Sequence, residues 1–317
     1  MKYFILIILI LLLNKNVYSS NIFETSFFDV EFTSKNIQED KKKEIKKIIK
    51  ESLFSILKKS LDFNYYNEVN NFLTDDLINT FIKNIIVNNE KIINEKYISK
   101  IKINFDKKKI VKFFRKNDIP YVEYHPDKFL LIIYEKDEIA DRLFSKNNNF
   151  YIYFKENFNE DHLFKIPNLD INDRFMLKKE DLLNRNFDKV IPFSNKYNIS
   201  ETLIVFNKKT KNKTLYDLVL FSNGDNIEKN LQFNEFQIDK FYKILENESL
   251  DLWKKINQIQ NNSLNSINCN IDYFNMSELK QIRTNLNYVS VIKDLSIKSL
   301  SYKNIEYDIS FYGNIDI

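Results

Sequence analysis

Phe129-Leu130-Leu131-Ile132-Ile133-Tyr134 is the stretch on which the fold turns. Six apolar residues run without a break between Asp127 and Glu135. Such a run is the signature of a strand covered on both faces. The flanking sequence is therefore expected to supply helices that layer onto a central sheet.

On the N-terminal side, Lys107 to Asn117 reads as a short helix burying Ile110, Val111, Phe113 and Phe114, and Pro120 opens an extended segment. Tyr97, Ile101, Ile103 and Phe105 alternate with Lys100, Lys102 and Asn104, the period of a half-exposed strand. A helical region from Asn67 carries its buried side on residues from Val69 to Ile85 and breaks at Asn88-Asn89-Glu90. An earlier helix, about Ser34 to Leu61, places Ile45, Ile48, Ile49, Leu53, Ile56 and Leu57 on one stripe. Its lysines (Lys41, Lys42, Lys43, Lys46, Lys47 and Lys50) read as a solvated face. Phe28 to Phe32 is a short first strand.

On the C-terminal side, Asn147 to Asn149 is a loop and Phe150 to Phe154 reads as a strand. Asp170 or Asn172 caps a helix starting near Asp173. A further helix spans Phe187 to Lys196, with Pro192 in its first turn or at a kink. Thr202 to Phe206 pairs with Tyr216 to Phe221 across Lys208 to Lys213, and Asn223-Gly224-Asp225 closes that edge. Phe236 to Gln258 is a long helix, and its Trp253 is expected to anchor the core between this helix and a separate C-terminal unit. That unit reads strand (Ile267 to Tyr273), helix (Ser277 to Leu286), strand (Val289 to Lys298), strand (Ile305 to Phe311). The fold class is thus α+β: a mixed sheet layered with helices, plus a small C-terminal βαββ ferredoxin-like unit.

The first residues carry an address. Lys2, the apolar decapeptide Phe4 to Leu13 and the compact Val17-Tyr18-Ser19 have the layout of a secretory signal peptide. Ten apolar residues are too few to span a bilayer, which takes about 20. The expected division is a leader over 1–19, a main domain over 20–260 and the small unit over 261–317. The expected location is the periplasm, with no transmembrane segment after cleavage.

Composition then narrows the functions. Lys, Asn, Ile, Phe and Tyr crowd the chain, a pattern that A/T-rich codon usage explains. The 48 basic and 44 acidic residues are well mixed, which argues against a nucleic-acid partner. Cys269 stands alone, so no intramolecular disulfide forms. Gly224 and Gly313 are the only glycines, too few for a Rossmann or P-loop phosphate cradle. His125 and His162 are the only histidines, and no HExxH or Cys-x-x-Cys pair occurs.

Further short motifs lie in the middle of the chain. They are Val111-Lys112-Phe113-Phe114 through Ile119-Pro120-Tyr121, His125-Pro126 ahead of Phe129 to Ile133, Ile166 to Asp173, and the helix plus hairpin from Phe193 to Phe221. Through them, segments 107–135 and 163–223 resemble the family catalogued as domain of unknown function 2066, bacterial proteins carrying signal peptides. The resemblance covers about two-thirds of the mature chain. It implies a bacterial envelope address and a mixed domain with a small appended one, and it brings no catalytic residues. The family has Arg-Pro where this chain has His125-Pro126, and often Trp where it has Phe or Ile. Its members continue past the position of Tyr312-Gly313 into a final helix, whereas this chain stops at Ile317.

Individual candidates read more as structure than as chemistry. His125 and His162 are the available general bases, yet no nucleophile accompanies them. Asp170 and Asp173 have the spacing of a helix cap. Arg174 could grip an anion, but an ion pair with a nearby Asp is the simpler role. The five Asn-x-Ser/Thr sequons follow from Asn-rich composition. The reading is a non-catalytic exported protein with no catalytic, cofactor-binding or metal-binding residues and no cofactor. Its expected partner is an envelope protein or cell-wall component. The alternative is a periplasmic solute- or glycan-binding module with its cleft between the main domain and the C-terminal unit. A hydrolase of unrecognised type stands third.

Overall fold

The computed structural model describes residues 22–136, 141–157, 162–209, 214–233 and 238–313. The leader assigned to residues 1–19 lies outside them, as does most of the Lys208 to Lys213 turn.

The chain begins with β1 (Phe28–Thr33), α1 (Ile37–Ser60), α2 (Phe63–Phe72), α3 (Asp75–Phe81), β2 (Ile82–Ile93) and β3 (Lys96–Phe105). These strands form an antiparallel sheet in the order β1-β3-β2. The expected helical stripe of α1 is buried against it through Ile48, Ile49, Leu53, Ile56 and Leu57. The opposite lysines are solvated and largely matched: Lys41 meets Glu90 at 2.5 Å, and Lys46 and Lys50 both grip Asp75. Those two ammonium groups hold the Asp75 carboxyl down to about 2.

The helical region expected through Ile85 is shorter than its apolar spacing suggested. Thr74 caps a new helix by accepting from Leu77 N–H, and the backbone turns extended at Ile82. Ile82 to Ile93 is instead an edge strand. Asn88-Asn89-Glu90 does not end it but makes a bulge, with Asn89 at φ 54°. Asn is among the residues that tolerate this left-handed conformation.

Next come α4 (Lys107–Lys116), β4 (Phe129–Lys136), β5 (Asp141–Leu143), α5 (Asn149–Asn157), β6 (Phe164–Lys165), α6 (Ile171–Met176), α7 (Lys179–Leu183) and α8 (Val190–Asn195). They are followed by β7 (Glu201–Lys209), β8 (Thr214–Ser222), β9 (Asp225–Phe233) and α9 (Ile238–Asn257). The strands form a mixed sheet, β5-β4-β7-β8-β9, with β6 also against β4. β4 runs parallel to β6 and β7, and the other pairs are antiparallel.

All six residues from Phe129 to Tyr134 are completely buried, as the opening motif requires. One face of the sheet is covered by α5 and α9, where Phe150 and Phe241 pack around Tyr216. The other meets the α7–α8 region, where Phe187 lies edge-on to Phe221.

Phe150 to Phe154 is thus helix, not strand. Its aromatic side chains favour strands, but Asn148 caps the segment by accepting from Phe150 N–H at 2.9 Å. Phe150, Tyr151 and Phe154 then share one buried face, and tertiary burial outweighs β-propensity. Asn223-Gly224 does not close the sheet either. Both residues have positive φ, 51° and 84°, the signature of a type I′ hairpin turn into β9.

The chain ends in β10 (Leu264–Asp272), α10 (Met276–Tyr288), β11 (Ile292–Ser301) and β12 (Asn304–Tyr312), with sheet order β10-β12-β11. A βαβ pair split by an inserted antiparallel strand is the ferredoxin-like arrangement. Tyr273, Leu279, Ile305, Tyr307 and Ile309 form a core of its own. The first sheet repeats this plan, since β1, a helical crossover, β2 and the central β3 follow the same order. The mixed sheet therefore lies, in sequence, between two units of one topology.

Among the described residues no helix is long and apolar enough to cross a membrane.

Candidate functional site

The segment Lys107-Lys108-Lys109-Ile110-Val111-Lys112-Phe113-Phe114-Arg115-Lys116 holds six cations and no acid. Asp106 starts the helix by accepting from Lys108 and Lys109 N–H. Its end is a Schellman turn: Ile119 N–H reaches Phe114 O at 2.9 Å, and Asp118 adopts φ 51°. Ile110, Val111 and Phe114 point into the core. Helical spacing then gathers Lys108, Lys112, Arg115 and Lys116 along one face.

That face forms one wall of a groove of about 530 Å³. The opposite wall is the connection from α10 into β11, which contributes Lys293, Asn287 and Ser290. Val111, Val289, Ile292 and Tyr312 supply its apolar surface. Five cations line the groove and no carboxylate does. A cleft lined by one sign of charge focuses its field on a counter-ion.

Arg115 ties the walls together. Its guanidinium stacks 4.3 Å from the Tyr312 ring and donates to Ser290 O and, at 3.1 Å, to Tyr121 Oη. Ser290 Oγ in turn donates to Glu123, which also receives Lys107 at 2.9 Å. Burial pushes the Tyr121 hydroxyl well above the usual phenol range, so it stays protonated. The seam is polar and hydrogen-bonded, while Lys112, Lys116 and Lys293 have no carboxylate within ion-pair distance among the described residues.

The residues singled out in sequence lie elsewhere. Asp170 accepts from Asp173 N–H at 2.9 Å and caps α6. Asp173 is fully buried and accepts from Leu169 N–H, Tyr197 Oη and Lys196 Nζ at 2.8, 2.5 and 2.6 Å. Lys196 also lies 3.5 Å from Asp170, so the pair is braced as structure.

Arg174 donates to Phe144 O at 3.4 Å instead of meeting an aspartate. Among the described residues no carboxylate lies within ion-pair distance of it, so the expected pairing with a nearby Asp is replaced by this carbonyl contact. His125 is half-buried, and its Nε2 has no hydrogen-bond partner. Burial, aided by Lys254 and Lys59, lowers it to about 4, so it is neutral at neutral pH. His162, half-buried, precedes β6. No group of three His, Cys, Asp or Glu among the described residues could hold a metal ion.

Trp253 does not bridge to the C-terminal unit. It is fully buried in the main core, edge-on to Tyr124 at 5.2 Å and with Nε1 3.5 Å from Glu201. The link that Trp253 was expected to make is made by Arg115 and Tyr312. The acid-free run from Lys107 to Lys116 was the available signal for the groove, and charge counts over the whole chain hid it.

No family model, curated protein or solved structure matches the chain. The resemblance stated above therefore rests on its quoted motifs alone.

Proposed function

We propose that this is a non-catalytic exported protein that binds a component of the bacterial cell envelope, with the groove between α4 and the C-terminal unit as its contact site. The observation that carries this reading is the groove itself: five lining cations, no lining carboxylate, and walls joined through Arg115. Leu13 and the residues before it supply the address, and the motifs of residues 107–135 and 163–223 agree with it.

Mild crosslinking in intact cells, followed by purification of the tagged chain, tests the reading. An envelope component should copurify, and should be lost when Lys112 and Lys293 are both replaced by Glu. Absence of any envelope component across crosslinkers of different reach contradicts it.

The groove's size also favours a second reading, a solute- or glycan-binding module. A thermal-shift screen with cell-wall fragments separates the two, since a specific small ligand raises the melting temperature of the isolated protein.

A further inference from the structure

The geometry points to a multivalent, phosphoryl-bearing anion as the ligand of the groove between α4 and the C-terminal unit, an inference that rests on the groove being the contact site.

The first ground is charge number. Lys108 and Arg115 sit seven residues apart on α4, about 10 Å along a helix axis. Lys112 and Lys116 lie on the same face, and Lys293 faces them from the other wall. A single carboxylate could neutralise one of Lys112, Lys116 and Lys293 and would leave the other two repelling. An anion with two or more charges within about 10 Å meets the row as a whole.

The second ground is shape. A carboxylate directs its two oxygens one way, toward a single wall. A tetrahedral phosphoryl group spreads its oxygens in diverging directions, so ammonium groups on both walls can donate to it together. Lysine suits this role because its ammonium acts as a point charge without a fixed fork. Arg115, whose guanidinium is already engaged by Ser290, Tyr121 and Tyr312, adds charge at the base of the groove.

The third ground is the contrast with the lysines of α1. The other lysine-rich depression, about 350 Å³ on α1, has Lys43, Lys46 and Lys50 already paired with Glu39, Asp40 and Asp75. In the α4 groove, by contrast, Lys112, Lys116 and Lys293 have no carboxylate within ion-pair distance among the described residues. The adjoining Val289, Ile292 and Tyr312 suit a ligand with an apolar portion beside its phosphates.

Melting temperature of the mature chain, at constant ionic strength, tests this with pyrophosphate, citrate and acetate as probes. Pyrophosphate should raise it by about 5 °C at a hundredfold excess over its Kd, and acetate should not. K112E/K293E should melt no lower than the parent without anion, because like charges are removed, and should lose the response. K47E, on the α1 surface, should keep it.

Vesicle flotation distinguishes the sources of the phosphoryl group. Binding to phosphatidylglycerol vesicles but not phosphatidylcholine vesicles, lost in K112E/K293E, assigns it to a lipid headgroup. A pyrophosphate response with no flotation assigns it to a soluble phosphorylated molecule. Equal responses to citrate and pyrophosphate, or a response retained in K112E/K293E, overturn the inference. If K112E/K293E loses the envelope component in cells while the parent chain shows no pyrophosphate response, the anion claim fails and the groove stands as the contact site.

Discussion

Asp173 shows how single residues in this chain are committed to structure before chemistry. Its buried carboxylate holds Lys196, Tyr197 and the N–H of Leu169, whose backbone sits at φ 60°. Removing it leaves those donors without their acceptor and a left-handed leucine without its tether. Asp173→Ala is expected to cost about 3 kcal/mol in urea unfolding. Asp170→Ala, at a half-buried cap, should cost about 1 kcal/mol. His125 gives a pH signature. Its value falls from 6.5 in the open chain to about 4 in the fold, so the unfolded state takes up a proton that the folded state refuses. Its stabilising contribution is therefore complete above pH 6.5 and lost as pH falls through 4, on the order of 3 kcal/mol. His125→Gln should flatten the stability profile between pH 6.5 and 4; an unchanged profile would exclude His125 as its source.

At the scale of elements, the chain's reading succeeded where one period ran uninterrupted. β4 was legible because six apolar residues cannot all be buried on a one-sided strand, and α1 because its stripe is long. Ile132, at the centre of β4 and fully buried, should cost about 4 kcal/mol when cut to Ala. The misread elements are those whose local signals conflict with tertiary burial. Phe150 to Phe154 has strand-favouring side chains on a helix, and Ile82 to Ile93 continues a helical apolar spacing into an edge strand. β9 went unread because its alternation is mostly polar, while its turn at Asn223-Gly224 was visible. Gly224→Ala should destabilise the protein by about 1 kcal/mol although nothing lies within 4 Å of the added methyl, because the strain is in the backbone at φ 84°. A loss of less than 0.3 kcal/mol would contradict the type I′ assignment at about the precision of such measurements.

For the whole molecule, the division of cores predicts how it opens. The first sheet and the mixed sheet share one continuous apolar cluster, whereas the C-terminal unit has a small core of five buried residues. Amides of β10 to β12 should exchange with solvent at a lower free energy than those of β4, β7 and β8. Arg115→Met should widen that gap by loosening the seam at Ser290 and Tyr312. Coincident exchange in the two regions would show a single cooperative unit instead. The groove was the least legible feature in sequence because its walls are some 175 residues apart in the chain, from Arg115 to Ser290. Only their juxtaposition turns ordinary lysines into a concentrated field. The most direct test of the central claim uses a photo-crosslinking amino acid placed at Lys112 in one strain and at Lys47 in another. Irradiation of intact cells should join an envelope component to the Lys112 position and leave the Lys47 position unlabelled; equal labelling at both, or none at Lys112, would contradict the assignment of the groove as the binding site.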